Sequence, residues 1–201
     1  LAIDQARQLS SVVTQLMDFQ KVDIGKEHLS LATTDVVKLV SNRKIMLDSY
    51  AKSKNIELLL VSDRESYMTA VDDAKMEKII DNLISNAIKY SPDNSQIRID
   101  LRCDDKKWVL QVKDNGIGIS RRAQRQLFKE FYRGDNAINS KVVGSGIGLL
   151  LVKNYVTMHG GNISCSSQEN VGSTFQVAIP FKLLSGESGE KKSISDTTHK
   201  A

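Results

Sequence analysis

The chain of 201 residues is sparing with several residue types, and each shortage excludes something. It has two cysteines, Cys103 and Cys165, far apart in sequence and both in strand-like segments. Two isolated thiols give no disulfide framework and no metal-ligand spacing, and they suit a reducing compartment and simple packing. Two prolines leave most of the chain free for regular structure. No apolar run within it approaches the length of a membrane-spanning helix, and no signal-peptide pattern occurs within these residues, which does not bear on a longer parent protein. Histidine occurs three times, at His28, His159 and His199. The net charge of +4 is mild for this length, so nucleic-acid binding is not implied. What remains, 40% apolar and 26% charged residues, fits a globular protein, and the length allows one medium domain or one domain with an appendage.

Three segments carry chemistry. The first runs from about Asp72 to Lys89 and reads as a helix. Met76, Ile79, Ile80, Leu83, Ile84, Ala87 and Ile88 recur at helical spacing and form an apolar stripe. Asn82, Ser85, Asn86 and Lys89 share another face, at i, i+3, i+4 and i+7. An amide oxygen is a hard neutral ligand of the kind Mg²⁺ accepts, and a lysine adds a point charge for phosphate. A plain solvated face has the same composition. The second segment is Asp114-Asn115-Gly116-Ile117-Gly118-Ile119, directly after the strand-like run Trp108 to Val112. Its glycines let backbone approach a flat ligand, although Asp-Asn-Gly is also ordinary turn chemistry. The third is Gly144-Ser145-Gly146-Ile147-Gly148, which opens an apolar helix stopped at His159-Gly160-Gly161. A glycine loop at a helix start points N–H groups at an anion. It is neither a Walker loop nor a dinucleotide fingerprint, because neither spacing occurs.

In this order the three segments resemble the ATP-binding domain of sensor histidine kinases, of the superfamily shared with gyrase, mismatch-repair ATPases and a heat-shock chaperone. The asparagine helix is similar to that family's N box. Asp114 to Gly118 is similar to its first glycine box, Phe128-Lys129-Glu130-Phe131-Tyr132-Arg133 to its phenylalanine box, and Gly144 to Leu149 to its second glycine box. Gly172-Ser173-Thr174-Phe175 is similar to the short segment that closes the domain. The resemblance covers about residues 28–182.

The resemblance implies Mg-ATP as ligand and transfer of its γ-phosphoryl group to a histidine. It implies ATP contacts from Asn82, Asn86, Lys89, Tyr90, Asp114, Gly116, Gly118, Ile119, Tyr132, Arg133, Gly144, Ser145, Gly146, Ile147, Gly148, Leu149 and Thr174. Asp114 would accept from the adenine 6-amino group, with Thr174 beside it on the adenine side. Asn86 would ligate Mg²⁺. Lys89 and Arg133 would screen the triphosphate, and the N–H groups of Gly146 to Leu149 would hold its outer oxygens. Asn82, Lys89 and Arg133 are the expected catalytic residues. Superfamily members that hydrolyse ATP carry a glutamate where this chain has Asn82, and an amide is a poor general base. This favours a kinase over an ATP-hydrolysing conformational machine, and a nucleotide-binding module without transfer activity stays open. None of the three histidines has the context of the family's phosphoacceptor, so the chain is expected not to phosphorylate itself. The expected partners are the acceptor helix of the dimerisation domain and a response-regulator receiver domain, within a homodimer. The resemblance also implies the cytoplasmic portion of a membrane-anchored, hybrid sensor kinase.

The expected fold class is α+β, a two-layer α/β sandwich of Bergerat type, preceded by part of a bundle helix. Helices intermixed with strand pairs support the sandwich directly. In residues 1–24, Ala2, Ala6, Leu9, Val13 and Leu16 make a heptad seam, read with the resemblance as the end of the second dimerisation helix and its linker. Residues 25–182 are the ATP-binding domain. Within it, Thr34 is the expected N-cap of a helix through Ala51, with Asp35 in its first turn. The six basic residues between Arg121 and Lys141 fall where the family has a mobile lid. Residues 183–201 are polar and read as a tail or linker.

Overall fold

The computed structural model describes residues 2–23, 27–129 and 146–184. Helix α1 is Ala2–Asp23. A short strand β1 (Ala32–Asp35) leads into α2 (Val36–Lys52). Strands β2 (Glu57–Ser62) and β3 (Met68–Val71) precede α3 (Asp73–Tyr90). The hairpin β4 (Gln96–Cys103) and β5 (Lys107–Asp114) follows, then the single turn α4 (Arg121–Gln124). Helix α5 (Gly148–Met158) leads to the hairpin β6 (Asn162–Gln168) and β7 (Gly172–Pro180).

Five strands form one sheet in the order β2-β4-β5-β7-β6. All its pairs are antiparallel except β2 with β4. That pair is parallel because the chain crosses over through α3 between the two strands. β1 and β3 make a separate antiparallel pair. Period-two patterning decides which face is covered. Trp108, Leu110 and Val112 of β5 are buried, while Lys107 and Lys113 are exposed. Val177 and Ile179 of β7 join them, and Met76, Ile79, Ile80, Leu83, Ile84 and Ile88 of α3 pack into the same cluster. Leu151, Val152, Tyr155 and Val156 add the inner face of α5. Each such side chain contributes about 1.5–3 kcal/mol by leaving water. The result is the expected two-layer α+β sandwich.

The N-cap of α2 is Asp35, not Thr34. Thr34 pairs within β1, whereas the Asp35 carboxylate accepts from Val37 N (3.1 Å) and Lys38 N (3.4 Å). The same carboxylate accepts from Tyr67 N and Ser66 Oγ, so it also ties down the approach to β3. A carboxylate serves several donors where the threonine hydroxyl serves fewer.

Helix α3 is fixed at its start by buried polar groups. Asp72 caps it through Lys75 N (3.1 Å) and accepts from Ser30 N (2.8 Å). Burial opposes the charge of Asp72, but the Lys75 ammonium and these N–H groups outweigh it and hold the carboxyl below its usual range. Asp72 N donates to His159 Nε2 at 3.0 Å, and His159 Nδ1 lies 2.7 Å from the Tyr155 carbonyl. The imidazole is therefore neutral, with its proton on Nδ1. Arg43 of α2 grips Asp81 on the outer side of α3. Helix α1 reaches the domain through Asp18, whose carboxylate lies 2.6 Å from Lys78 Nζ. Its residues Val13, Leu16 and Met17 are exposed.

His159 gives the first prediction. It is 1% exposed, and burial holds its pKa below the ordinary value, although the Tyr155 carbonyl and the Asp72 charge pull it up. The unfolded chain then binds a proton that the folded chain refuses. Stability from this site is complete above the unfolded pKa near 6.5 and is lost as pH falls through it toward the lower folded value. Urea unfolding of the parent and of His159→Gln across that window checks this, and the variant should lose less stability on acidification.

Candidate nucleotide-binding site

The site assembles around α3, because both glycine segments touch it. The end of β5 delivers Asp114, which is 6% exposed. Its Oδ1 accepts from Gly116 N (2.8 Å) and from Ser173 N (3.2 Å). Its Oδ2 takes no hydrogen bond from the described residues. Burial pushes the carboxyl above its ordinary range, and the two N–H groups pull it part of the way back.

After Asp114 the chain turns tightly against its neighbours. A Cβ on Gly116 would sit 2.5 Å from the Tyr90 carbonyl oxygen, which also accepts from Ile117 N at 3.2 Å. Gly118 has φ +65, and a Cβ there would fall 1.9 Å from the Gln168 carbonyl oxygen. Ile119 N donates to Ser167 Oγ (2.8 Å), which itself donates to the Gly172 carbonyl (2.7 Å). The first glycine turn is thus clamped between the end of α3 and the β6–β7 hairpin.

The second glycine segment meets α3 two turns earlier. A Cβ on Gly148 would lie 2.5 Å from Asn82 Oδ1. Asn82 Nδ2 donates back to the Lys78 carbonyl at 2.8 Å, so its oxygen is the end presented to α5. Among the described residues no side chain caps α5, whose N-cap position is the buried Ile147. Gly146 (φ +73) and Leu149 flank it, half-buried. Asn86 is half-buried and takes no hydrogen bond from the described residues. Lys89 Nζ lies 5.5 Å from the centre of the Tyr90 ring. From Asn82 to Tyr90 the helix rises about 12 Å, which sets the span between the two glycine segments.

Most of the expected residues therefore converge: Asn82, Asn86, Lys89 and Tyr90 on α3, Asp114 to Ile119 at one end, and Gly146 to Leu149 at the other. Tyr132, Arg133, Gly144 and Ser145 lie outside the described residues, as does most of the basic segment. Thr174 is placed differently from the expectation. Strand register sets Asp114 opposite Ser173 and Lys113 opposite Thr174. Paired residues share a face, so Ser173 stands beside Asp114 and Thr174 faces the other way. Period two would have revealed this, since Phe175 is the apolar residue two positions beyond Ser173. The thiol of Cys165 is pushed up to about 12 by burial and by the Asp114 charge. It stays protonated, and burial also raises Cys103, to about 11. Among the described residues, no cluster of three or more His, Cys, Asp or Glu could hold a metal.

The family described as histidine kinase-, DNA gyrase B-, and HSP90-like ATPase matches residues 71–183, more than half of the chain. The chain belongs to this family, and the matched region is its ATP-binding part. Hybrid signal transduction histidine kinase D of Dictyostelium discoideum is 30% identical over 196 residues, 95% of this chain and 13% of that protein. Sensor histidine kinase WalK of Bacillus subtilis (strain 168) is 30% identical over 184 residues, 89% of this chain and 30% of WalK. The chain thus spans less than a third of these relatives. In fold it is similar to full-length ShkA in complex with AMPPNP, with a TM-score of 0.79, 22% identity, and coverage of 90% of this chain and 37% of that one. It is likewise similar to the catalytic domain of histidine kinase ThkA, with a TM-score of 0.68, 22% identity, and coverage of 77% and 99%.

Gly118 provides a direct check on this geometry. Gly118→Ala should destabilise the domain by about 2 kcal/mol or more, because a left-handed backbone and a main-chain clash act together. Denaturant midpoints of parent and variant measure it. An unchanged midpoint would show that the first glycine turn is built differently.

Proposed function

We propose that this chain binds Mg-ATP and presents its γ-phosphoryl group to a histidine on a helix of a dimerisation domain. The observation that carries the reading is Asp114, a buried carboxylate whose Oδ1 is taken by main chain while Oδ2 is left for a ligand. Oδ2 accepts from the adenine 6-amino group, with Ser173 and the first glycine turn fixing the carboxylate. Such a charge-assisted bond is worth roughly 1.5–3 kcal/mol. Guanine places an oxygen at that position and would leave both groups unpaired, so the site selects adenine.

The remaining residues fit a triphosphate and one divalent cation. Asn86 offers an amide oxygen that no described residue uses, which suits Mg²⁺. Lys89 neutralises phosphate charge from the same face. The N–H groups at the start of α5 suit phosphate oxygens, and Gly148 allows Asn82 to approach it. Magnesium, when bound, supplies further charge neutralisation on the phosphate oxygens. Transfer then depends on holding donor and acceptor in line, and Asn82 fits that work. Its amide is fixed by the Lys78 carbonyl and cannot take a proton from water, which supports transfer over hydrolysis.

The wider assignment follows the same reading. Residues 1–24 are the end of the second bundle helix with its linker, 25–182 the ATP-binding domain, and 183–201 a tail or linker. The parent protein would be a membrane-anchored sensor kinase, and its partners the acceptor helix and a response-regulator receiver. Among the described residues no helix is long and apolar enough to cross a membrane.

Calorimetry tests the adenine role. Asp114→Asn should weaken ATP binding about tenfold, the order of one charged hydrogen bond, and GTP should bind the parent poorly. Equal affinity for ATP and GTP would remove Asp114 from that role. Metal is tested separately through Asn86→Ala. That variant should keep its fold, since the residue sits on the polar face, and its nucleotide affinity should respond less to added Mg²⁺. An unaltered magnesium response would show that Asn86 is not the ligand.

A further inference from the structure

Lys54 lies in the turn between α2 and β2, distant in sequence from every motif of the site. Its ammonium donates to the carbonyls of Ile88 (2.9 Å) and Ser91 (2.6 Å), and Asp93 Oδ1 lies 3.7 Å away. The sequence explains why it is needed. In the last turn of α3, the Ile88 carbonyl would take its hydrogen bond from residue 92. That residue is Pro92, which has no N–H. Proline also drives the residue before it out of the helical region, and Ser91 is extended at φ −84, ψ 149. The final carbonyls are thus left without their usual donors. A cation there satisfies them and also suits the negative end of the helix dipole.

On the opposite side, the Tyr90 carbonyl accepts from Ile117 N of the first glycine turn. The end of α3 is therefore held between Lys54 and that turn. Lys54 is itself anchored, since Asn94 N donates to its carbonyl at 3.1 Å. Lys54, Lys89, Tyr90, Ser91 and Gly116 all border one cavity of about 440 Å³. The ammonium, the end of the helix and the glycine turn thus surround a common space.

We propose that Lys54 is a positioning residue of the nucleotide site: by completing the C-terminus of α3 it fixes the orientation of Lys89 toward the nucleotide. The inference rests on the Mg-ATP reading above. Lys54 acts through the main chain of α3, so its effect passes through Lys89. Lys54→Met should weaken Mg-ATP binding about tenfold, as removal of one charge-assisted contact does. Lys54→Arg keeps a charged donor and should keep most of the affinity. In a Lys89→Met background, Lys54→Met should add little further loss, because the group it positions is already gone.

Affinities are compared by calorimetry at a temperature where circular dichroism shows each variant folded. If Lys54→Met does not fold, Lys54→Gln carries the same cycle. A lower melting temperature with unchanged affinity would make Lys54 a stabilising residue only and overturn the proposal. Equal losses with and without Lys89 would overturn it too. A parent chain that binds no Mg-ATP would remove the nucleotide reading and this proposal together. A binding parent whose affinity is indifferent to Lys54 would remove this proposal alone.

Discussion

The structure depends most on one carboxylate oxygen. Asp114 Oδ1 receives N–H groups from Gly116 and from Ser173, and so joins the end of β5, the first glycine turn and the start of β7. Burial makes the charge costly, and the same burial makes it selective. A carboxylate in this setting gains from a ligand that donates to its other oxygen, and repels one that cannot. The glycines follow from it. Gly116 packs its backbone on the Tyr90 carbonyl, and Gly118 lies against the β6–β7 hairpin, because any side chain there would push the turn off the carboxylate.

Helix α3 converts that local constraint into a site. Its apolar stripe locks it on the sheet, and its polar face runs from Asn82 to Lys89 along the open side. Its two ends are secured by unlike means. Asp72, Lys75 and His159 hold the start, while Lys54 and the glycine turn hold the finish. Between them Asn82 meets Gly148, so α5 cannot shift without disturbing the asparagine face. A helix fixed at both ends and touched in the middle is a rigid rail, which is what positioning a phosphoryl group requires.

Much of this was legible in the sequence. The period of 3.6 in α3 and the period of two in β5 reported the core face correctly, because burial on one side leaves that imprint. The order of the asparagine and glycine segments pointed to the family. The misses have physical causes. Thr34 and Asp35 are both good caps, and only the donors of Ser66 and Tyr67, brought in by the approach to β3, decide for Asp35. Ser173 was passed over for Thr174, although the period of two that sets Ser173 on the face of Phe175 was there to read. The strands β1 and β3 are too short to show a period. Lys54 left no local signal, because its purpose is set by a proline 38 positions along the chain.

In the function proposed for it, this fold holds ATP for transfer to a histidine and does not spend it on water. The most direct measurement is incubation with ATP labelled at the γ-phosphate, together with a separate dimerisation domain carrying an acceptor histidine. Acid-labile label is expected on the added domain, dependent on this chain, with little free phosphate in that domain's absence. Steady release of phosphate without an acceptor would contradict it. So would label on His159, which is buried and bonded at both ring nitrogens.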